Sequence, residues 1–120
     1  MIAVQLARRA DGQFVSCAAS GHALTAPAGS DILCAAVTVL LRTTANALSL
    51  TEGLDVRILV PKRGALSFSV CLRGGAENQR DREAQLRFVW NLLHAGFQAL
   101  QAEYPLNISL NETTVEIEVE

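Results

Sequence analysis

The sequence predicts an α+β domain of order ββαββαββ, in which a mostly antiparallel sheet carries two packed helices. Three observations lead there. Short stretches such as Ile2, Val4, Leu6 and Leu66, Phe68, Val70, Leu72 alternate apolar with small or polar residues, the period of half-buried strands. Two longer stretches, from Asp31 to about Leu48 and from Asn78 to Pro105, carry apolar residues at helical spacing. Turn residues separate paired strands, as in Asp11-Gly12 and Pro61-Lys62-Arg63-Gly64.

The chain opens with a strand over Ile2 to Leu6. The Asp11-Gly12 turn returns it as a second strand from Phe14 to Ala19, ending at Ser20-Gly21-His22. Residues 23–30 form a loop punctuated by Pro27 and Gly29. Ser30 or Asp31 is then expected to cap the first helix. Apolar residues go nearly all the way round this helix (Ile32, Leu33, Val37, Val39, Leu40, Leu41), so more than one of its sides should be covered, by the domain or by a partner subunit.

Val56, Ile58 and Val60 alternate as a third strand, and Leu66 to Leu72 as a fourth. Asn78 is positioned to cap the second helix. Leu86, Val89, Trp90, Leu93, Phe97 and Leu100 form its buried stripe, and Pro105 stops it. Asn107 to Leu110 and the alternating Val115, Ile117, Val119 complete the pattern as two short strands. No linker or repeat divides the chain, so residues 1–120 are read as one domain.

Composition narrows the function. Half of the 120 residues are hydrophobic and 18% are charged, enough apolar material for a core without a disulfide or metal staple. A net charge of -2 lacks the basic surplus of a nucleic-acid binder, so no direct nucleic-acid contact is expected. Arg73, Arg80, Arg82 and Arg87 are offset by Glu77, Asp81 and Glu83 and read as a solvated face. No secretory pattern stands at the N-terminus, and the apolar run Ile32 to Leu41 is too short to span a bilayer, so a cytoplasmic protein without membrane attachment is expected. The three cysteines, Cys17, Cys34 and Cys71, show no paired spacing and argue against a disulfide framework.

The chemistry concentrates between residues 20 and 38. His22 ends a strand, and Cys34 is expected in the first turn of a buried helix. Free amides at a helix start favour a thiolate, and amides of the same turn can receive an oxyanion. A nearby imidazole completes a Cys–His pair able to activate the thiol and protonate a leaving amine. Asp31 either anchors the helix start or orients His22, and the sequence leaves both open. The structural reading competes with the catalytic one, because a cysteine in an apolar helix is commonly a small core residue. A metal set of Cys17, His22 and Cys34 is the weaker rival, so no metal and no cofactor are expected. His94, Cys71 and the Trp90–Phe97 stripe read as structural, and Gly74-Gly75 alone is no phosphate loop.

The segment Ser-Gly-His-Ala, a glycine-containing loop, then Gly-Ser-Asp-Ile-Leu-Cys-Ala-Ala-Val-Thr resembles the signature of the ribosomal-processing cysteine protease family, Prp. Gly21, His22, Ala23, Gly29, Asp31, Ile32, Cys34, Ala35, Ala36 and Val37 carry the likeness. Leu33 replaces the usual Val, and Thr38 replaces the usual Ser while keeping a hydroxyl one helical turn after Cys34. The length and element order also agree. The resemblance implies Cys34 as nucleophile and His22 as general base, with Gly21, Asp31, Ala35 and Thr38 in support. It implies removal of an N-terminal extension from a large-subunit ribosomal protein after a hydrophobic, aromatic-containing stretch. It also implies a homodimer and a mobile loop between His22 and Cys34. Two other readings stand beside it: a non-catalytic, dimeric, ribosome-associated binding module in which Cys34 is merely buried, and a thiol redox protein, for which no resolving cysteine lies near.

Overall fold

A computed structural model describes residues 1–21, 28–62, 64–74 and 78–116, with the side chains of 28–31 outside the description. Alternation places Ile2, Val4 and Leu6 of β1 (Ile2–Arg9) on one face, where they are buried, while Ala3 and Gln5 face outward. Strand β2 (Phe14–Gly21) buries Phe14, Cys17 and Ala19. Phe14 and Cys17 are three apart, a spacing that would put them on opposite faces of a regular strand. A bulge reconciles them: Ala7 opposes Ser16 and Arg8 opposes Phe14, so Val15 is the extra residue.

The remaining elements are α1 (Ala28–Ser49), β3 (Leu54–Leu59), β4 (Ala65–Leu72), α2 (Gln79–Glu103) and β5 (Ile108–Val115). The sheet order is β3-β4-β2-β1-β5. Neighbours are antiparallel except β1 and β5, which run parallel from Ile2↔Ile108 to Arg9↔Val115. The α+β class and the mostly antiparallel sheet agree with the sequence expectation. Two details differ. Strand β5 runs unbroken through the polar residues Asn111 and Glu112, because β1 supplies a continuous ladder along its whole length. Of the expected last strand, residues 117–120 lie outside the described residues.

Both helices pack on one sheet face. Leu33, Val37, Leu41, Ala45 and Leu48 of α1 and Leu86, Trp90, Leu93 and Phe97 of α2 join the inward residues of the strands in one core. The other face presents Ala3, Gln5, Ser67 and Ser69, small or polar residues suited to solvent. The segment Ile32–Ser49 is long and apolar enough by composition to cross a membrane, a longer run than the sequence reading recognised. Its stripe from Leu33 to Leu48 nevertheless belongs to the protein core. Helix α2 starts at Asn78, whose side chain makes no capping bond. Its left-handed backbone (φ 69°) instead aims its carbonyl at the amides of Asp81 (3.0 Å) and Arg82 (3.2 Å). His94 Nε2 meets Glu112 Oε1 at 2.8 Å and its ring stacks on Trp90, tying α2 to β5, which is the structural role expected of it.

The β1–β2 turn is held by Asp11. Its carboxylate accepts bonds from Gln13 Nε2 (2.7 Å) and Gln13 N (3.2 Å), and Arg87 Nη2 lies 3.4 Å away. The Gln13 side-chain bond, with help from the Arg87 charge and against some desolvation, lowers the carboxyl below its ordinary 3.8. A lowered folded pKa adds stability that is complete above the unfolded value and lost as pH falls through the folded one. Urea melts at about pH 6 and about pH 3 are therefore expected to differ more in wild type than in Asp11→Asn. An equal acid loss in both would exclude this role.

Candidate active site

The strand ends and one helix face converge at one edge of the molecule. Strand β2 closes with Ser20 and Gly21, immediately before His22 in the chain. Strand β4 opens beside it with Ala65 and Leu66, and the connection from β3 supplies Val60 and Gly64. The opposite wall is α1, which contributes Cys34, Thr38, Leu41 and Arg42. These positions are spaced by four, three and one, so they share one side of the helix. Together with Ile2 and Ala19 they enclose a cleft of about 180 Å3.

Gly21 has a reason to be glycine. Its amide donates to the Gly64 carbonyl at 3.1 Å. A Cβ on Gly21 would stand 2.8 Å from the Ile2 Cα and collide with the Met1 carbonyl. Gly64 is constrained as well: its φ is +82°, and a Cβ there would lie 3.0 Å from the Gly21 carbonyl. The two strand ends are thus closed backbone against backbone, and the chain leaves β2 toward His22 from this fixed point.

Helix α1 begins at Ala28, earlier than the sequence suggested. Cys34 is its seventh residue and lies in the second turn, not the first. Ser30 and Asp31 stand inside the first turn, so neither is the N-cap. Inside the helix the Cys34 amide is directed at the Ser30 carbonyl four residues back. An oxyanion hole made from the amides of the Cys34 turn is therefore withdrawn, and the helix-end field is weaker at Cys34 than a first-turn position would give.

Cys34 is half-buried and Thr38 follows on the same side, so the structure brings these two expected residues together with Gly21. Ala35 is exposed and does not line the cleft. His22 and the Asp31 side chain lie outside the described residues. Arg42, Val60, Gly64 and Leu66 were not singled out from the sequence. Arg42 had a signal, since it sits eight residues from Cys34 on one helix face. The other three come from distant strands and had none.

The cysteines separate cleanly by environment. Cys17 is 1% exposed in the core, and desolvation pushes its thiol up to about 12. Cys71 is exposed on β4. In folded protein, iodoacetamide is expected to label Cys34 and Cys71 and to spare Cys17, which should react only in urea. Peptide mass mapping of the adducts checks this; a Cys34 that reacts only after unfolding would mean the cleft is closed to solutes.

The cysteine protease Prp family matches residues 1–109, a span that contains every element but most of β5. The chain belongs to the Prp cysteine protease family. It is accordingly a cysteine protease. Solved structures agree with the fold. The essential ribosomal processing protease Prp of Staphylococcus aureus, in complex with a covalently linked product peptide, is 24% identical with TM-score 0.70, covering 93% of this chain and 99% of its own. The same enzyme with a substrate peptide gives 22% and 0.72 over 93% and 99%. A Streptococcus mutans protein gives 24% and 0.73 over 96% and 99%. No curated protein sequence matches the chain closely. Of the three cysteines, Cys34 is the one that lines this cleft.

Proposed function

We propose that this chain is a cysteine endopeptidase that removes an N-terminal extension from a large-subunit ribosomal protein, with Cys34 as nucleophile and His22 as general base and acid. The observation that carries the reading is the cleft itself. A half-buried thiol lines a groove whose opposite wall is strand-end backbone at Gly21 and Gly64, in a Prp chain. The Staphylococcus aureus Prp bound to substrate and product peptides supports a peptide in the groove.

In this mechanism His22 takes the Cys34 proton, and the sulfur attacks the scissile carbonyl carbon. The C–N bond breaks as the imidazolium returns its proton to the leaving amine. The new N-terminus departs, leaving a thioester on Cys34. Water, deprotonated by His22, then attacks the thioester and releases the extension as a carboxylic acid, restoring the thiol. Thr38 contributes a hydroxyl beside the sulfur, and Asp31 serves the helix start or the imidazole. No cofactor enters these steps. The cytoplasm, where ribosomes assemble, is the proposed compartment.

The test is incubation with the same organism's ribosomal protein in its extended form. One cut within the N-terminal segment is the expected result. An intact substrate together with a thiol inert to alkylation would move the reading to a non-catalytic binding module. A homodimer is also proposed. Phe88 and Leu92 of α2 stand 65% and 47% exposed, beside an apolar groove of about 500 Å3 between α1 and α2. Sedimentation should give twice the chain mass for wild type and the monomer for Phe88→Glu/Leu92→Glu; a monomeric wild type would refute the dimer.

A further inference from the structure

Among the described residues lining the Cys34 cleft, Arg42 alone carries a full charge. The other lining side chains are apolar, small or hydroxylic. No described acid pairs with Arg42, whereas Arg73 pairs with Asp55 and Arg87 with Asp11.

We infer that Arg42 is a specificity-determining residue that selects an acidic side chain, Asp or Glu, in the peptide within a few residues of the cut bond. The inference rests on the protease reading of the cleft. Helix geometry sets the reach. Eight residues of helix place the Arg42 backbone about 12 Å from that of Cys34. Helical side chains lean toward the N-terminus, which brings the guanidinium back toward the thiol. An extended peptide advances roughly 3.3 Å per residue, so a peptide at the Cys34 thiol brings side chains a few residues from the cut bond within reach of the guanidinium. Arginine suits a carboxylate because its planar fork donates two parallel hydrogen bonds. Arg42 is exposed, so the pairing is partly screened, and a preference of roughly three- to tenfold is expected rather than an absolute requirement.

The experiment uses end-capped peptides sharing one cleavable sequence, with Glu, Gln or Lys placed in turn at each position on both sides of the cut bond. Capping removes terminal carboxylates, so only a side chain can supply the acid. Wild type should favour Glu over Gln in kcat/KM by roughly three- to tenfold at one position within a few residues of the bond. The preference should shrink in high salt. Arg42→Lys should retain most of it, Arg42→Gln should lose it, and Arg42→Glu should reverse it in favour of Lys. The reversal separates recognition from a structural role, since a misfolded variant loses rate with every peptide alike. Cleavage of all peptides without preference, or an unchanged preference in Arg42→Glu, overturns the inference and leaves the protease intact. Cleavage of none overturns the protease reading and the inference with it.

Discussion

Cys34→Ala is expected to lower cleavage of the extended ribosomal protein by a thousandfold or more, on the order seen when a covalent nucleophile is removed. Without the sulfur no thioester forms, and the remaining groups offer only positioning and polarisation. The fold should survive. Cys34 is half-buried at the edge of the core, and alanine removes one sulfur atom from an α-helix that alanine favours. Stability should therefore change by about 1 kcal/mol or less. Comparing product formation with the melting temperature separates chemistry from folding. Residual cleavage within tenfold of wild type, at unchanged stability, would remove Cys34 from the mechanism. Cys34→Ser should be nearly as inactive, because a hydroxyl is a much weaker nucleophile than a thiol at neutral pH.

Gly21→Ala should damage both stability and activity. The added methyl meets backbone, the Ile2 Cα at 2.8 Å and the Met1 carbonyl, and not a side chain that can rotate away. Either β1 or the end of β2 must move, which breaks the Gly21–Gly64 hydrogen bond or the Ile2↔Gly21 register. A loss of roughly 1–3 kcal/mol is expected from such overpacking. In a domain of this size that lowers Tm by roughly 4–12 °C. Activity should fall further than the folded fraction, because Gly21 lines the Cys34 cleft. Gly64→Ala makes a useful partner, since it adds a left-handed backbone penalty at the same junction. A Gly21→Ala protein with wild-type Tm and wild-type cleavage would show that this close approach is unimportant.

The alternating stretches made strands β1, β3 and β4 legible, because a sheet with one covered face imposes period two on its sequence. The helices were legible for the same reason at their own period. Where reading by period failed, a long-range interaction had taken over. The bulge at Val15 lets Phe14 and Cys17 share a face, and only pairing with β1 creates it. Strand β5 stays extended through Asn111 and Glu112 because β1 holds it, not because those residues prefer a strand. Helix α1 starts at Ala28, before the Ser30 and Asp31 that looked like caps. That shift moved Cys34 into the second turn and took its own amide out of the proposed chemistry.

The sequence by itself determined the fold class, the family signature around Cys34 and the choice of candidate nucleophile, because each is written in residue type and short spacing. The tertiary structure decided the strand order β3-β4-β2-β1-β5, the cleft and its wall. Cys34 and Gly64 are thirty positions apart, and nothing local links them. Only when the helix packs across the sheet do the thiol, the paired strand ends at Gly21 and Gly64, and the charge of Arg42 come to line one groove.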